Sequence, residues 1–450
     1  MSPARATAFD VLLRVEQEDS YASELLHASA YDNLSTRDHA LTTELVMGVL
    51  RWRARLDDEI AAASSQPLSK LDPEILVALR LALYQFRYLD RIPKRAALNE
   101  SVELVKQARK RSAASFVNAV LRKLAAVAAP VGEVAAIQPS SPEALAQGFA
   151  HPRWLVERWV EEFGMAAARA ICEHDQKVPQ TAIRLRSANA DAELVREGIT
   201  LSRGALLASA RRVVDGDVTK TRAFNAGQVA IQDEASQLVA ALASRNAKDG
   251  ARILDCCAAP GGKTLAIADR NAQATITAVE LHPHRARLLQ RLVKAAHAAA
   301  AIQIVVADTR SLPTSIGFDR VLADVPCSGT GTLARNPEIK WRLRAEDLHD
   351  LQQRQTAILR SALGQVLPGG RVIYSTCSLE KEENEDVVEA ILGENESFRL
   401  IDCRDELEQL RASGEVVWAD LDSLVRGPYL RTIPGVHPCD GFFAAVLEKT

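Results

Sequence analysis

The spacing of apolar residues predicts helices throughout residues 1–125. Leu12 and Leu13 follow Phe9 by three and four positions, which places all three on one face of a helix. The same helical spacing recurs in further stretches, around residues 36–60, 73–83, 102–105 and 116–121. About six amphipathic helices joined by short loops predict an all-α bundle.

The pattern becomes mixed after this bundle. Residues 126–150 are rich in Ala, Pro, Ser and Gly, which is typical of a linker. A helix is predicted around Trp159, and the alternation in 182–186 predicts a strand with basic residues on one side. We therefore expect a small α/β subdomain here.

From about residue 250 the pattern changes to alternating strands and helices. The predicted strands are 253–257, 276–281, 302–307, 321–325, 372–375 and 442–447, with helices such as 285–298 and 345–366 between most of them. This alternation predicts a parallel sheet covered by helices on both faces, a Rossmann-like α/β fold. The predicted domains are an all-α bundle at 1–128, a small α/β subdomain at 145–240 and the Rossmann-like domain at 241–450.

Charge narrows the ways in which this chain could bind nucleic acid. Its 450 residues contain 55 Lys and Arg against 58 Asp and Glu, a net charge of −3, which excludes a uniformly basic coat. Residues 106–123 contain no acidic residue, however. The stretch is either a solvated helix face or a phosphate-contacting patch, and its candidate RNA-binding residues are Lys106, Arg109, Lys110, Arg111 and Arg122.

Cysteine usage and hydropathy predict the compartment. Seven cysteines without regular spacing do not form a disulfide framework. No stretch of 18 apolar residues occurs, and residues 1–5 have no signal-peptide core. We expect a soluble, cytoplasmic protein without a membrane segment.

Three consecutive predicted strands end in residues suited to a nucleoside. The first leads into a Gly-rich turn at 255–264, but Cys257 stands where a Walker A loop requires glycine, and no Gly-x-Gly-x-x-Gly is present. The second ends at Glu280, where a carboxylate can accept hydrogen bonds from a ribose diol, and the third at Asp308. A nucleoside ligand without either phosphate motif indicates S-adenosylmethionine.

The next two strands each end in a cysteine, Cys327 and Cys377, within loops rich in Gly, Ser and Thr. A lone cysteine is more often a small buried hydrophobe, but two at adjacent strand ends indicate chemistry. Zinc is disfavoured, because Cys327 has no Cys-x-x-Cys partner and no His-x-Glu element accompanies it; we expect no metal. Two thiols suit covalent methylation of a pyrimidine, in which one thiolate adds at C6 and a second group assists release.

At these residues the sequence resembles the Sun (Fmu) family of RNA cytosine-C5 methyltransferases. The matching motifs are Asp-x-Cys-Ala-Ala-Pro-Gly-Gly-Lys-Thr at 255–264, Asp-Val-Pro-Cys-Ser-Gly-Thr-Gly at 324–331, Tyr-Ser-Thr-Cys-Ser at 374–378 and Asp-Gly-Phe-Phe at 440–443. The N-terminal bundle, with Ser-Phe-Val-Asn-Ala-Val-Leu-Arg at 115–122, resembles the NusB RNA-binding domain. The fusion of the two is similar to bacterial 16S rRNA cytosine-C5 methyltransferases.

The resemblance implies a role for each motif residue. Cys377 would be the nucleophile and Cys327 would assist release, while Asp324 would face the base together with Lys263. The residues implied to line the S-adenosylmethionine pocket are Cys257, Ala258, Ala259, Pro260, Gly261, Gly262, Lys263, Glu280, Asp308 and Asp324. Glu280 departs from the Asp often found there, but its longer side chain can still reach a ribose diol.

The expected substrate is 16S rRNA and the expected state is a monomer. Two alternatives stay open at this point. The same chemistry on tRNA is compatible with the catalytic motifs, because only the NusB-like domain favours rRNA. A non-catalytic RNA-binding or antitermination factor is the other, although decay should then have eroded the two cysteines or the glycine turn.

Overall fold

The computed structural model describes residues 1–18, 20–26, 34–127, 141–313 and 317–450. The chain forms two compact units. Unit 1 comprises Met1–Val178 and Leu333–Arg342, and unit 2 comprises Pro179–Thr332 and Leu343–Thr450.

The described helices are numbered in chain order. They are α1 Pro3–Gln17, α2 Ala22–Leu26, α3 Thr36–Ala63, α4 Pro73–Tyr88, α5 Lys94–Gln107, α6 Ala114–Ala126, α7 Pro142–Gly148, α8 Arg153–Asp175, α9 Ala190–Arg196, α10 Arg222–Asn225, α11 Glu234–Ser244, α12 Gly262–Arg270, α13 Pro283–Ala296, α14 Ile339–Arg342, α15 Asp347–Gln365, α16 Glu385–Gly393 and α17 Cys403–Ala412.

The described strands are numbered in the same way. They are β1 Ala182–Leu185, β2 Thr200–Arg203, β3 Ala210–Asp215, β4 Val229–Ile231, β5 Arg252–Asp255, β6 Thr275–Glu280, β7 Ala301–Val306, β8 Phe318–Asp324, β9 Val366–Thr376, β10 Phe398–Ile401, β11 Val425–Arg426, β12 Tyr429–Thr432 and β13 Phe442–Lys449.

Unit 1 contains the predicted all-α bundle, which is confirmed. Helices α1 to α6 share one apolar core, in which Leu45, Leu79 and Leu121 are completely buried. Ser35 caps α3 by accepting a hydrogen bond from the Asp38 N–H at 3.1 Å, as its position before the helix suggests. The bundle thus follows directly from the helical spacing of the apolar residues.

Unit 1 also takes up a segment from much later in the chain, residues 333–342. The Trp341 indole N–H donates to the Leu50 carbonyl at 2.7 Å, and the buried Lys340 ammonium donates to the carbonyls of Arg51 and Ala150 at 3.0 and 3.1 Å. These contacts explain why the segment belongs to unit 1 although unit 2 surrounds it in sequence.

The units therefore divide the chain differently from the three predicted domains. Helices α7 and α8 belong to unit 1, whereas we expected them within a subdomain spanning 145–240. Leu145, Leu155 and Trp159 are buried, and none of them belongs to the apolar core of the small sheet. Of the predicted linker at 126–150, residues 128–140 lie outside the described residues, and 142–148 form α7.

Unit 2 begins with a small antiparallel sheet. Its strand order is β2-β3-β1-β4, and β1 is the strand predicted from the alternation at 182–186. Ile183, Leu194 and Val229 form its core together with α9. The other three strands were not predicted.

The large sheet of unit 2 carries the strand ends that matter for chemistry. Its order is β11-β12-β13-β9-β8-β5-β6-β7, with β10 paired to β13. Strands β5 to β9 are parallel to their neighbours, as predicted, whereas β13 and the strands beyond it are antiparallel. The predicted strand 442–447 is β13, which runs antiparallel to β9, so the sheet is mixed and the prediction that this strand is parallel is wrong.

Helices cover both faces of this sheet. Along β5, Ile253 packs into a core shared with α11 and α12, while Leu254 packs into the opposite core with α15 and α16. Successive strand residues point to opposite faces, so both must be apolar. Strand order reverses between β5 and β8, and in such sheets this crevice at the carboxyl ends of the strands is where ligands bind.

Candidate active site

The Gly-rich turn lies between β5 and α12, next to the reversal of strand order. Gly261 has a φ of +117°, and a Cβ there would lie 2.5 Å from a methyl carbon of Leu289. Only glycine adopts this backbone without strain. The Thr264 hydroxyl in the first turn of α12 donates to the Asp255 carboxylate at 2.6 Å and ties the turn to the strand.

Asp255 is a fully buried carboxyl group at the end of β5. Burial raises its pKa to about 6, against the opposing effect of the Thr264 hydrogen bond, and nearby Asp324 raises it further. Burial also raises the pKa of the Cys257 thiol well above its usual range, so this cysteine is a neutral thiol lining the turn.

The predicted ribose ligand, Glu280, is buried at the end of β6, with 4% of its surface exposed. One carboxylate oxygen accepts a hydrogen bond from the His282 N–H at 2.9 Å. Its other oxygen has no hydrogen-bond partner among the described residues. An acceptor oxygen without a protein partner is suited to receiving a ligand hydroxyl.

Asp308 follows β7 at the same edge of the sheet. Its side chain caps the turn Thr309–Ser311 and forms an ion pair with Arg310 at 2.6 Å. The hydrogen bond from Arg310 lowers the Asp308 pKa. Asp308 is therefore ionised and already engaged by its own loop.

Lys263 and Asp324 lie together, as the resemblance implies. The Lys263 ammonium donates to the Asp324 carboxylate at 2.8 Å and lies 4.8 Å from the centre of the Phe442 ring. The Ser375 hydroxyl donates to the other Asp324 oxygen, also at 2.8 Å. Burial alone would lower the Lys263 pKa, but Asp324 and then Cys377 raise it, so the ammonium stays charged.

The two predicted cysteines meet at the tips of neighbouring strands. Cys327 follows β8, Cys377 follows β9, and their sulfur atoms are 3.3 Å apart. Neither is in a disulfide. The hydrogen bond with Cys377, followed by burial, raises the pKa of Cys327 well above the usual thiol range. Cys327 is therefore a protonated thiol.

The sequence analysis did not identify three polar residues beside the cysteines. Ser328 and Ser378 each follow one cysteine, and both hydrogen-bond to the carboxylate of Glu383. Glu383 lies in the acidic run 380–385, which resembles a solvated surface segment. The only signal in the sequence was its position six residues after Cys377.

The predicted basic stretch 106–123 contains no acidic residue, but in the folded structure two of its cations pair with acidic residues outside the stretch. Lys106 pairs with Glu103 at 2.6 Å, and Lys110 pairs with Asp72 at 2.8 Å. Three other cations of the patch are exposed and form no ion pair with any residue in the described ranges, namely Arg109, Arg111 and Arg122.

The described ranges contain no group of three or more His, Cys, Asp or Glu side chains that could hold a metal ion. No helix in them is both long and apolar enough to span a bilayer.

This fold and these strand-end motifs define the class of Rossmann-like methyltransferases, and comparison with known proteins specifies the family. Residues 241–448 match the family model described as 16S rRNA methyltransferase RsmB/F, and residues 2–126 match that of the NusB family. The chain belongs to the RsmB/F methyltransferase family, with an N-terminal NusB domain.

Individual relatives match along the whole chain. A probable ribosomal RNA small subunit methyltransferase B from Bacillus subtilis is 34% identical, over 99% of this chain and 98% of its own. A putative methyltransferase from Mycobacterium tuberculosis is 33% identical, over 100% of this chain and 97% of its own. The crystal structure of PH0851 shares the fold, with a TM-score of 0.81 and 24% identity over 99% of both chains.

Proposed function

We propose that this protein transfers a methyl group from S-adenosylmethionine to C5 of a cytosine in 16S rRNA through a covalent Cys377–C6 adduct. One observation carries the proposal. Two thiols lie 3.3 Å apart at the tips of neighbouring parallel strands, beside the Lys263–Asp324 pair.

Cytosine C5 is a poor nucleophile, which is why a thiol is needed. The Cys377 thiolate adds to C6, forming a C–S bond and moving electron density to C5, where the methyl group is accepted. The C5 proton then passes to a base, the C5–C6 double bond re-forms, and the Cys377 sulfur leaves as a thiolate. Lys263 keeps a positive charge near Cys377, and Asp324 would hold the cytosine ring.

The residues present fit S-adenosylmethionine. The buried Glu280 carboxylate has an unused acceptor oxygen for a ribose hydroxyl, and the loop 257–262 turns tightly into α12 through Gly261. Asp308 and Asp324 would complete the pocket, with Cys257, Ala258, Ala259, Pro260, Gly262 and Lys263 lining it. The cofactor supplies an electrophilic methyl group.

The choice of RNA rests on the relatives and on unit 1. The Bacillus subtilis relative is named for the small-subunit ribosomal RNA, and the NusB family match supplies a second domain for RNA contact. The basic residues Lys106, Arg109, Lys110, Arg111 and Arg122 would contribute to that contact. We further propose that the protein acts as a monomer in the cytoplasm.

A denaturing gel with labelled 16S rRNA and S-adenosylmethionine tests the division of labour between the cysteines. Cys377→Ser should abolish both methylation and the protein–RNA adduct, because the attacking thiol is missing. Cys327→Ala should still add and methylate but eliminate slowly, so that the adduct persists. Cys403→Ala is the matched control and should behave like the wild type. Cys403 is a buried cysteine at the start of α17, and its Sγ donates to the Ala444 carbonyl of β13.

Two outcomes would contradict this proposal. An adduct that persists in Cys377→Ser and never forms in Cys327→Ala would reverse the two roles. Bisulfite sequencing of treated 16S rRNA and tRNA then identifies the substrate. New 5-methylcytosine in tRNA alone would overturn the assignment to rRNA while leaving the chemistry intact.

A further inference from the structure

Glu383 is a completely buried carboxylate that contacts both cysteine loops. It accepts hydrogen bonds at one oxygen from the Ser328 backbone N–H and the Gln355 amide, each at 2.8 Å. Its other oxygen accepts from the Ser378 hydroxyl at 2.5 Å and from the Ser328 hydroxyl. We call these four residues, Glu383, Ser328, Ser378 and Gln355, the Glu383 clamp.

The clamp holds the chain on both sides of Cys327 and next to Cys377. Ser328 and Ser378 immediately follow the two cysteines, and the Gln355 amide also donates to the carbonyl of Pro326 at 3.0 Å. The positions of both sulfur atoms therefore depend on one carboxylate.

A structural role alone would not require a charge here. Burying an ionised carboxylate is costly unless it is fully hydrogen-bonded or paired. Glu383 forms no ion pair with any residue of the described ranges, and both of its oxygens accept hydrogen bonds only from neutral donors. An apolar side chain could fill this volume more cheaply, so the carboxylate indicates a need for fixed directions at both loops.

We propose that Glu383 is a positioning residue that keeps the Cys327 and Cys377 sulfur atoms in contact for the release step. The inference rests on the proposed function. In that step Cys327, as a thiolate, takes the C5 proton, the C5–C6 double bond re-forms, and the C6–S electrons leave with Cys377. Cys327 is a thiol in the free protein, so it must first give its own proton to solvent before it can take the C5 proton.

The clamp can be removed without taking the two loops apart. The Gly331 N–H donates to the Cys377 carbonyl at 2.9 Å, and the Leu379 N–H donates to the Thr330 hydroxyl oxygen at 2.8 Å. These bonds do not involve Glu383. We therefore expect Glu383→Ala to fold, with the two sulfur atoms less well fixed.

The first measurement reports the sulfur spacing without RNA or cofactor. Phenylarsine oxide binds two neighbouring thiols at once, forming two As–S bonds and releasing water. The wild type should bind it in a 1:1 ratio. Glu383→Ala should bind roughly tenfold more weakly because the two thiols are no longer preorganised, whereas Glu383→Gln, which can still hydrogen-bond both serines, should recover most of the affinity.

The second measurement follows the reaction itself. In single turnover with 16S rRNA, Glu383→Ala should slow release and accumulate the adduct while KM for RNA and for S-adenosylmethionine stays unchanged. Glu389→Gln is the matched control, because this carboxylate in α16 is exposed and lies outside the clamp. It should match the wild type in both measurements.

The two proposals can fail separately. Unchanged arsenical affinity in Glu383→Ala would overturn the clamp, even if adducts form normally in the wild type. Weakened arsenical binding with no adduct in any variant would overturn the covalent mechanism and leave the clamp standing. If Glu383→Ala does not fold, Ser328→Ala and Ser378→Ala each remove part of the clamp, and unchanged affinity in both would overturn it equally.

Discussion

Asp255 is a buried carboxyl group beside the Gly-rich turn, and its titration makes the stability of the protein depend on pH. It lies at the end of β5, accepts the Thr264 hydroxyl hydrogen bond, and faces Asp324 and Lys263 nearby. Burial raises its folded-state pKa to about 6 from an ordinary value of 3.8. The folded protein therefore binds a proton here more tightly than the unfolded chain does.

This shift predicts the pH dependence of stability at one residue. The stabilising contribution of Asp255 is fully present below its unfolded pKa and is lost as the pH rises through about 6. Between pH 5 and pH 8 the free energy of unfolding of the wild type should fall by about 1.4 kcal/mol relative to Asp255→Asn, one pKa unit's worth. Chemical denaturation of both proteins at the two pH values measures this difference.

Thr264→Val is the control for this effect. It removes the hydrogen bond that favours ionised Asp255, so its loss of stability with rising pH should exceed that of the wild type. A difference between wild type and Asp255→Asn that does not vary with pH would mean that Asp255 ionises normally.

The sequence predicts the position of a residue correctly where that position depends only on the end of a strand. The strand ends at Glu280, Asp324 and Cys327 follow from apolar runs of the right length. Glu383 could not be predicted in the same way, because its burial depends on loops that meet only after folding. The pairing of Lys110 with Asp72 was missed for the same reason, since the partners are 38 positions apart.

At the level of elements, Gly331 is where three loops cross. Its N–H donates to the Cys377 carbonyl, and its own carbonyl accepts from the Gly441 N–H at 2.8 Å. A Cβ at Gly331 would lie 2.3 Å from the Gly441 carbonyl oxygen. Because that neighbour is backbone, it cannot move aside by changing rotamer.

Gly331→Ala should therefore disturb the site through its scaffold. We expect a loss of about 1–3 kcal/mol in stability, the usual cost of overpacking, together with slower methyl transfer in single turnover. Thermal unfolding and the rate of methylation measure the two effects. Gly393→Ala, in α16 with no atom within 4 Å of the added Cβ, is the control; equal behaviour of the two variants would show that the crossing tolerates a side chain.

The elements that were predicted are those whose pattern is long enough to identify them. The parallel strands β5, β6, β8 and β9 contain buried apolar residues, and α15 extends over 19 residues. Strands β10 to β12 have two to four residues each, which is too short for a periodic signal. The turn α14 has four residues, and its place in unit 1 depends on partners such as Leu50 that are distant in sequence.

At the scale of the whole molecule, a net charge of −3 means that RNA affinity must come from local groups of cations. In unit 1 those cations differ in their surroundings. Arg109, Arg111 and Arg122 are exposed without an acidic partner in the described ranges, whereas Lys106 and Lys110 already have one each. When RNA binds, only the cations without an acidic partner should each displace counterions from a phosphate in full.

The salt dependence of RNA binding distinguishes these two groups. Replacing Arg109, Arg111 and Arg122 with Gln should reduce the slope of log K against log salt concentration by about 2, at roughly 0.7–0.9 per phosphate contact. Replacing Lys106 and Lys110 with Gln should change it by less than about 1, because their charges are already offset by Glu103 and Asp72. Turnover at saturating RNA should stay the same in both variants, since neither group of cations belongs to the proposed chemistry. An unaltered slope in the triple variant would mean that this face of the NusB domain is merely solvated, and that the RNA is held by other cations.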